Sequence, residues 1–465
     1  MENNEELLEL KMKSPVYEAD VIVCGGGPAG MAAAYAAIHL GVKTLLIERY
    51  GFLGGMATSA LVGPILGHRL STEKPAVTGF LKILTEEMAI LGGAPGWEES
   101  LKMGGIPFDV EIFKYVTERL ITDSGVKLLL YSLLIDVEVE NGFIKSVIVA
   151  NKSGKQKING QIFIDATGDG DLAFLSGAPY KKGRLADGKM QSMGTVFRVG
   201  GVKEEFLTKE VREKASQKLS RARDSGLLKI YNTQIGIKGS TIRKGELTFN
   251  ITRFAGDGTD VEDLTRGELE LRRETFKIVD FLRKNVPGFK DAYLISTPVQ
   301  IGIRETRQII GEYTLTAKDI LLGRKYEDSI ARGTWWIDIH CPLGRTKDNV
   351  HLCTRDCTTA EPCLMLKKHP DQLPQKNKLH PPKGDWYSIP YLCLLPRKIN
   401  NLLVAGRPIS ATHQAMAGSR VMGTCMAIGQ SAGIAAAQAF KKKILPKKLS
   451  VKNVQEGLIS QNALF

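Results

Sequence analysis

The clearest pattern along the chain is a short apolar run that ends in glycines and continues into an apolar helix. Residues Ala19–Cys24 are almost all apolar, which is typical of a strand that is buried on both faces. Three glycines follow, and the sequence MAAAYAAIHL after them has the composition of a buried helix that ends at Gly41. A second apolar run, Val42–Glu48, comes next. The pattern therefore predicts a β-α-β unit and, with it, an α/β fold.

A different pattern follows this first unit. Helices are predicted over Lys82–Leu91 and Val110–Ser124. The alternating segments after them are joined by the turns Asn141-Gly142 and Ser153-Gly154, and they predict the strands of an antiparallel layer. These segments are Val126–Glu140, Phe143–Ala150 and Lys155–Ile164.

The chain changes character between about residues 180 and 345. Charged, solvent-facing helices are predicted over Lys203–Ser225 and Leu264–Asn285, and strands over Gln191–Gly200 and Glu246–Phe254. A buried strand and an apolar helix then return, which indicates a second domain inserted into the first. The predicted boundaries are 18–180 and 386–442 for the two parts of the first domain, 181–385 for the inserted domain and 443–465 for a C-terminal tail.

The composition is that of an ordinary globular protein, with 43% hydrophobic and 24% charged residues over 465 positions. The most apolar stretch, Val421–Phe440, contains glutamines, a serine and glycines, so it predicts a buried helix and no membrane span. The first ten residues are acidic and lack the basic flank and apolar run of a secretory signal, so we expect a cytoplasmic protein. The formal net charge of +13 would suit an anionic substrate, nucleic acid or a membrane surface, and it does not choose among them.

The glycines after the first strand have the spacing of a dinucleotide-binding fingerprint. Gly25, Gly27 and Gly30 form the pattern G-x-G-x-x-G between a strand and a helix. In this motif the first glycine allows a tight turn, the second lets the backbone approach a pyrophosphate, and the third lets the helix pack closely on the strand. Glu48 ends the second strand 18 residues after Gly30, where a carboxylate accepts hydrogen bonds from ribose hydroxyls. The sequence therefore predicts a dinucleotide site.

Two later segments favour FAD over NAD as the dinucleotide. Asp165–Asp171 and Asn401–Arg407 each have the pattern of a buried strand that delivers a glycine to a ligand. A simple nicotinamide dehydrogenase has no need of such strands, whereas FAD must be held at its adenine, pyrophosphate, ribityl and ring ends. We therefore predict an α/β protein in which an α+β substrate domain is inserted into a Rossmann-like FAD-binding domain.

Six segments of the chain carry the motifs of one flavoprotein family. They are Cys24–Ala34, Glu48–Thr58, Ile164–Ala173, Ile301–Tyr313, Ile337–His340 and Asn401–Ala437. In these segments the chain resembles the FAD-dependent oxidoreductases of the glutathione-reductase-like superfamily, which have two dinucleotide-binding domains. The resemblance implies FAD held without a covalent bond, a substrate domain inserted into the flavin domain, and redox chemistry at the flavin N5 atom. It implies no particular substrate.

The resemblance also implies which residues contact FAD. The segment Gly54–Thr58 resembles a flavin-lining loop, and Gly168–Asp169 matches the end of the second glycine strand. Gly406 stands in a terminal motif that often reads Gly-Asp at the ribityl chain, so Arg407 departs from that motif. If the last helix begins near Gly423, its N-terminal dipole would point at the N1–C2=O edge of the flavin. The expected FAD-binding residues are Gly25, Gly27, Pro28, Ala29, Gly30, Glu48, Arg49, Gly54, Gly55, Met56, Thr58, Gly168, Asp169, Gly406, Arg407, Arg420, Gly423 and Thr424.

Four residues are candidates for catalysis, and each also has a structural interpretation. His340 shares a strand face with Asp338 and could be a proton donor, and His413 lies in the loop before the last helix; either could be a structural histidine. Arg304 could clamp a substrate carboxylate or belong to an ion-pair network with nearby glutamates. Cys425, near the first turn of the last helix, could be a redox nucleophile or a small buried residue.

Four of the seven cysteines are close together in the sequence. Cys341, Cys353, Cys357 and Cys363 have histidines nearby and could hold zinc or an iron–sulfur cluster. Their spacing contains no C-x-x-C pair and matches no familiar ligand pattern, so we expect no metal site. The segment could instead be a loop that caps the substrate.

The sequence is consistent with three functions. The favoured one is an FAD-dependent oxidoreductase that acts on a small, anionic organic molecule, with no membrane partner and with a homo-oligomer possible in principle. The second is a flavin-dependent RNA-modifying protein, which the net charge suggests; the lysines and arginines are dispersed, however, so we expect no nucleic-acid partner. The third is a flavoprotein electron-transfer subunit with a cysteine-ligated metal centre.

Overall fold

Strands and helices alternate at the start of the chain in the computed structural model, which describes residues 16–185, 187–237, 240–342 and 379–465. The strands are β1 (Tyr17–Cys24), β2 (Thr44–Ile47), β3 (Lys127–Leu129), β4 (Leu133–Glu140), β5 (Phe143–Asn151), β6 (Gly154–Asp165), β7 (Tyr180–Lys182), β8 (Phe197–Gly200), β9 (Leu247–Phe249), β10 (Tyr293–Ser296), β11 (Arg307–Ile309), β12 (Ser329–Gly333), β13 (Tyr387–Pro390) and β14 (Leu402–Val404). The helices are α1 (Pro28–Ile38), α2 (Phe80–Ile90), α3 (Trp97–Lys102), α4 (Val110–Asp123), α5 (Asp171–Leu175), α6 (Lys209–Asp224), α7 (Val261–Asn285), α8 (Ala317–Leu321), α9 (His413–Ser419), α10 (Met422–Lys442) and α11 (Val451–Ser460).

The main sheet has seven strands in the order β3-β2-β1-β6-β5-β4, and β14 also pairs with β6. Strand β1 lies parallel to β2 on one side and to β6 on the other. Strand β6 is long enough to have two partners on its other edge, antiparallel β5 along its first half and parallel β14 at its end. The C-terminal ends of β1, β2, β6 and β14 therefore meet at one edge of the sheet. This arrangement confirms the predicted β-α-β unit and the Rossmann-like α/β fold.

One predicted strand is partly wrong. The segment 126–140 was expected to be a single strand of the antiparallel layer, but it forms two strands with different partners. Strand β3 lies parallel to β2, and only β4 pairs with β5 in the antiparallel direction. Tyr131, between them, has a φ of +53°, and its N–H donates to the carbonyl of Tyr50. This bend leaves β3 as the edge strand of the parallel part of the sheet.

Helix α1 is covered by α10, and the two helices approach closely because both present small residues. A Cβ atom added at Gly429 would lie 2.0 Å from the carbonyl oxygen of Ala29, and one added at Gly433 would lie 2.1 Å from that of Ala33. Side chains larger than glycine cannot occupy these two positions at this distance. The alanine- and glycine-rich composition of both helices is thus a consequence of their packing.

The region between residues 190 and 296 has a hydrophobic cluster of its own. Strands β10, β8 and β9 form a small antiparallel sheet, and residues of α6 and α7 pack with it. The predicted helix from Lys203 begins later, at α6, because the Thr208 side chain caps it by accepting from the N–H of Val211. The predicted strands here are shorter than expected, and residues before β8 form isolated bridges instead. The exact domain boundaries stay a prediction.

Within the described ranges, no helix is long and apolar enough to cross a membrane. Most of the segment considered for a metal site lies outside the described residues, since Cys353, Cys357 and Cys363 are not among them. Cys341 is described and is buried. Among the residues that the structure describes, no group of histidines, cysteines and carboxylates could hold a metal ion.

Candidate active site

A cavity of about 1020 Å³ opens where the ends of the parallel strands face the start of α1. Its walls include the turn after β1, the segment after β6 and the residues that follow β14. In an open α/β sheet this edge is where ligands bind, since loops diverge there and the helix N-terminus points toward the ligand. The cavity also extends to residues of the second region, among them Tyr231, Asn250 and Arg253.

The glycine turn leaves room for a ligand at one position and for packing at two others. A Cβ atom at Gly27 would have only the Cα of Gly55, at 3.7 Å, within contact distance, so the backbone there is open to the cavity. Gly25 has a φ of +100° and lies against Ala166. A Cβ atom at Gly30 would lie 1.7 Å from the carbonyl oxygen of Gly25. Gly30 therefore serves helix packing and does not line the cavity.

The start of α1 is free to receive an anion. Gly27 is its N-cap residue and offers no side-chain hydrogen bond, and Pro28 occupies the first turn. Pro28 and Ala29 both line the cavity. A helix start without a side-chain cap has backbone N–H groups available, and its dipole favours negative charge. These features fit the pyrophosphate of a dinucleotide.

Glu48 lies at the end of β2 in the position expected for a ribose partner. Its carboxylate is buried, and it accepts hydrogen bonds from the N–H groups of Gly26, at 2.7 Å, and Tyr50, at 2.9 Å. Burial raises the pKa of Glu48, and these backbone hydrogen bonds partly oppose that shift. The neighbouring Arg49 donates to the side chain of Gln300, and both line the cavity. Gln300 was not singled out from the sequence.

The predicted flavin-lining loop divides into residues that face the cavity and residues that shape the loop. Gly55 and Met56 line the cavity, within a single 3₁₀ turn. Gly54 has a φ of +110° and starts this turn. Thr58 is buried and donates from its hydroxyl to the carbonyl of Leu53 at 2.7 Å. Gly54 and Thr58 do not line the cavity. They were expected to contact the cofactor, but in this structure they shape the loop that carries Gly55 and Met56.

Arg407, which departs from the superfamily motif, connects three segments of the cavity wall. Its guanidinium group donates to Asp169 Oδ1 at 2.6 Å, to the carbonyl of Gly168 at 2.7 Å and to the carbonyl of Ile303. Asp169 also accepts from the hydroxyl of Thr306 at 3.0 Å. Gly168, Asp169, Gly406 and Arg407 all line the cavity. The arginine thus neutralises the aspartate of the preceding glycine strand.

Helix α10 begins at Met422, close to the start predicted near Gly423, and its first turn faces the cavity. Val421 is its N-cap residue and provides no side-chain cap. Val421, Met422 and Cys425 line the cavity, whereas Gly423 and Thr424 do not. Gly423 instead donates its N–H to the carbonyl of Leu66 at 3.0 Å. The N-terminal end of this long helix therefore faces the cavity, although two of the expected contact residues do not line it; its orientation toward the flavin stays a prediction.

Two arginines of the cavity wall share one amide oxygen as their hydrogen-bond acceptor. Asn250 Oδ1 accepts from Arg253 at 2.8 Å and from Arg304 at 3.2 Å. Arg304 also donates to the carbonyl of Ser192 at 2.8 Å, and the guanidinium of Arg253 stacks 4.1 Å above the ring of Tyr231. Both arginines are almost fully buried. Burial lowers the pKa of Arg253 to about 10, and burial together with Arg253 and Arg420 lowers that of Arg304.

A third arginine, an aspartate and a histidine complete this group, which we call the arginine cluster: Arg253, Arg304, Arg420, Asp338 and His340. Arg420 donates to the backbone carbonyl of Asp338 at 3.1 Å. His340 Nδ1 lies 3.0 Å from the guanidinium of Arg253, and His340 Nε2 lies 3.6 Å from Asp338 Oδ2. Burial raises the pKa of Asp338, but His340 and the arginines outweigh this effect, so its pKa is lowered.

His340 is a neutral imidazole in this arrangement. Burial and the charges of Arg304 and Arg253 hold its pKa well below the usual range, and Asp338 only partly compensates. Because arginine is always a donor, Nδ1 is the acceptor and the proton of the neutral ring is on Nε2, on the side of Asp338. His340 is the one histidine among the described residues that line the cavity. His340 can donate a proton, as predicted from the sequence, only if the positive charge around it is reduced and its pKa rises.

The structure places the other two catalytic candidates in structural surroundings. His413 does not line the cavity; its Nδ1 lies 2.8 Å from the carboxylate of Glu305, and both residues are buried. Cys425 lines the cavity, but burial raises the pKa of its thiol to about 12, more than the nearby arginines lower it. A thiol that stays protonated is a poor nucleophile. Neither arrangement supports the roles predicted for these residues.

Sequence reasoning missed Arg253, Asn250 and Tyr231, which are separated from Arg304 and Arg420 along the chain. No short motif joins them. A usable signal was present at Arg253, because apolar and polar residues alternate from Leu247 to Phe254 and Arg253 falls on the face of Leu247, Phe249 and Ile251. A charged residue on the apolar face of such a segment is expensive to bury and often has a function. The tertiary fold alone brings these residues to one place.

A family model described as FAD dependent oxidoreductase matches residues 20–458 of the chain. The matched range includes the glycine turn, Arg407 and the whole arginine cluster. This match spans nearly all of the described structure.

Matches to individual proteins are shorter or more distant. The thiamine thiazole synthase of Saccharolobus islandicus is 45% identical over 60 residues, and that of Sulfolobus acidocaldarius is 47% identical over 60 residues. Each match covers 13% of this chain and 21% of the relative, so the chain matches about a fifth of the length of these curated proteins. Among solved structures, a geranylgeranyl bacteriochlorophyll reductase-like protein from Thermoplasma acidophilum is 13% identical with a TM-score of 0.41, covering 96% of this chain and 84% of that one. The flavin-dependent brominase Bmp2 is 11% identical with a TM-score of 0.46 and the same coverage.

Proposed function

Because the chain belongs to the FAD dependent oxidoreductase family and is therefore an FAD-dependent enzyme, we propose that it transfers a hydride between the flavin N5 atom and a small organic anion. The anion would bind at the arginine cluster. The observation that carries this proposal is that one cavity contains both the glycine turn that fits a dinucleotide and the three buried arginines. Cofactor and substrate would therefore share one cavity.

The residues present fit FAD at its dinucleotide end. The open backbone at Gly27 and the uncapped start of α1 suit the pyrophosphate, and the carboxylate of Glu48 suits a ribose hydroxyl. Arg407 keeps Gly168 and Gly406 in place beside this region. FAD, when bound, supplies the hydride acceptor or donor, and the chain supplies binding, orientation and electrostatics.

The arginine cluster is suited to orient a carboxylate or a similar anion. A guanidinium group presents N–H donors in a planar fork that matches carboxylate geometry. Here the guanidinium groups of Arg253 and Arg304 are fixed by Asn250, so little side-chain freedom is lost on binding. Burial excludes competing water and strengthens the attraction.

His340 is the candidate that exchanges a proton with the substrate. Its Nδ1 and Nε2 atoms are held between Arg253 and Asp338, next to the proposed anion site. An anion beside Arg253 and Arg304 offsets the charges that disfavour the imidazolium form. Substrate binding would thus raise the pKa of His340 and favour its protonated, imidazolium form.

Anaerobic flavin reduction tests this function. The purified protein should show the absorption bands of oxidised flavin, and denaturation should release FAD. Small organic acids should then bleach these bands, or restore them after photoreduction, while the corresponding uncharged amides should not. Exchange of Arg304 for glutamine should slow the reaction with the acid while the FAD content stays the same. Reaction with uncharged compounds at equal rates, or a protein unable to bind FAD, would contradict the proposal.

A further inference from the structure

The arginine cluster carries more positive charge than its own residues balance. Three guanidinium groups face one carboxylate, and His340 is neutral, which leaves a formal charge of +2. Arginine keeps its proton in proteins even when burial lowers its pKa. Within the described residues, no side-chain carboxylate lies within ion-pair distance of Arg253, Arg304 or Arg420. A buried excess of this size is costly unless a ligand offsets it.

The other charged residues of the cavity wall have partners of their own. Arg407 is paired with Asp169, and Arg49 lies beside Glu48 and donates to Gln300. Lys102, at the rim, is exposed and pairs with Glu99 at 2.9 Å. The excess charge is therefore localised at the arginine cluster and does not extend over the whole cavity.

The cluster also has N–H donors for which the described residues provide no acceptor. The Nε atoms of Arg253 and Arg420 are buried, and neither has a hydrogen-bond partner among the described residues. Arg253 is only 2% exposed and lines the cavity. A buried donor without a partner is uncommon in a native protein, and a ligand with several acceptor oxygens would satisfy it.

The contacts of the cluster separate it from the pyrophosphate site. Outside the cluster, the hydrogen bonds of its side chains and of the His340 N–H go to Gln191, Ser192, Asn250 and Thr252, and none goes to the glycine turn or to α1. The start of α1 has its own backbone donors for a phosphate. The charge of the cluster is therefore available to a second ligand.

We propose that the substrate is an organic dianion, either a dicarboxylate or a phosphate monoester, whose two charges match the excess of the arginine cluster. This inference rests on the proposed function, since it assumes that the anion held here is the molecule that reacts with the flavin. A monoanion would leave one buried positive charge without compensation, whereas a dianion leaves none. Both chemical classes offer the several oxygens that the free donors require.

Variants that change the formal charge of the arginine cluster test the preference for a dianion by binding measurements alone, with no need for catalytic turnover. In the FAD-loaded protein, Asp338→Asn raises the formal charge of the cluster to +3, and Arg253→Gln or Arg420→Gln lowers it to +1. Titration calorimetry with sulfate and with nitrate, at constant ionic strength, should show sulfate binding roughly tenfold or more tighter to the unchanged protein. Asp338→Asn should tighten sulfate binding, and either glutamine variant should weaken it by about tenfold. Arg273→Gln removes a charge from the exposed face of α7 and should change the affinity less than about twofold.

The opposite directions expected for the variants separate charge from misfolding. A merely structural role predicts weaker binding in both Asp338→Asn and Arg253→Gln, and this outcome would overturn the proposal. Equal affinities for sulfate and nitrate in the unchanged protein, or no sulfate binding, would overturn it as well. FAD content and melting temperature, measured on each variant, show whether the cofactor site is intact.

Organic probes then distinguish the two sources of a dianion. Succinate, methyl phosphate and the monoanion butyrate are compared by the change that they cause in the flavin absorption spectrum. Tighter binding of succinate assigns a dicarboxylate, and tighter binding of methyl phosphate assigns a phosphate monoester. If neither binds more tightly than butyrate, the proposal fails. Because these measurements record binding alone, hydride transfer could fail in the bleaching assay while the dianion site is still supported.

Discussion

The guanidinium group of Arg407 and the carboxylate of Asp169, 2.6 Å apart, join the ends of two parallel strands at the mouth of the dinucleotide site. Asp169 belongs to the turn after β6, and Arg407 follows β14. Both side chains are about nine-tenths buried. The pair therefore fixes the wall of the cavity that would hold the cofactor, which gives a structural reason for an arginine at a position where the related flavoproteins often have aspartate.

Exchange of Arg407 for glutamine should weaken FAD binding and destabilise the protein. The variant loses the ion pair with Asp169 and leaves that buried carboxylate without its main partner, a change that costs about 3 kcal/mol in typical buried pairs. We expect the dissociation constant of FAD to rise by about tenfold or more, measured by flavin fluorescence. Arg397→Gln, at an exposed arginine nearby in the sequence, is the matched control and should leave FAD binding unchanged.

Alanine substitutions at Gly27 and Gly30 should separate ligand contact from helix packing. At Gly27 the added methyl group meets open space in the cavity, so Gly27→Ala should keep the melting temperature of the FAD-free protein but lower the affinity for FAD by about tenfold or more. At Gly30 it would meet the carbonyl of Gly25 at 1.7 Å. Gly30→Ala should therefore reduce stability in the absence of FAD, as measured by thermal unfolding. Equal effects of the two substitutions on stability would show that this division is wrong.

Binding of sulfate should be accompanied by proton uptake at His340. In the free protein, burial, Arg304 and Arg253 hold its pKa below the usual value, and the facing groups Asp338 and Tyr231 do not restore it. A bound dianion offsets the arginines and raises this pKa, so affinity should increase as the pH falls through the pKa of the complex. Calorimetry in buffers with different ionisation enthalpies measures the protons taken up, which should increase from pH 8 to pH 6.

The variant His340→Asn should abolish this proton uptake. Sulfate itself stays a dianion over the same pH range, and Asp338 stays ionised because its pKa is lowered. Unchanged proton uptake in His340→Asn would assign the titration to another group.

Cys425 should be unreactive in the native protein. Burial raises the pKa of its thiol to about 12, and the thiol donates to the carbonyl of Arg420 at 3.3 Å. Because the thiolate is the reactive form, iodoacetamide at pH 8 should modify Cys425 only after unfolding, as detected by peptide mass spectrometry. Rapid alkylation of the folded, FAD-loaded protein would restore the redox role that its position near a helix start suggested.

The sequence by itself determined the dinucleotide half of the site. The strand, the three glycines, α1 and Glu48 are contiguous, and each residue type follows from local requirements of turn geometry, helix packing and ribose binding, so the pattern can be read without the fold. The same local logic predicted the apolar α10. It failed for the segment 126–140, because the partner of β3 is β2, which is distant in sequence, and hydrophobic alternation does not distinguish parallel from antiparallel pairing.

Only the tertiary structure decided the arginine cluster, where we propose that the substrate binds. Arg253, Arg304, Asp338 and Arg420 come from separate segments, and their meaning lies in the distances among them and in the burial of the arginines. The same is true of His340 and Cys425, whose protonation depends on neighbours that local sequence does not identify. Electrostatic interactions in a buried site depend on separation in space, and that separation is set by the fold of the whole chain.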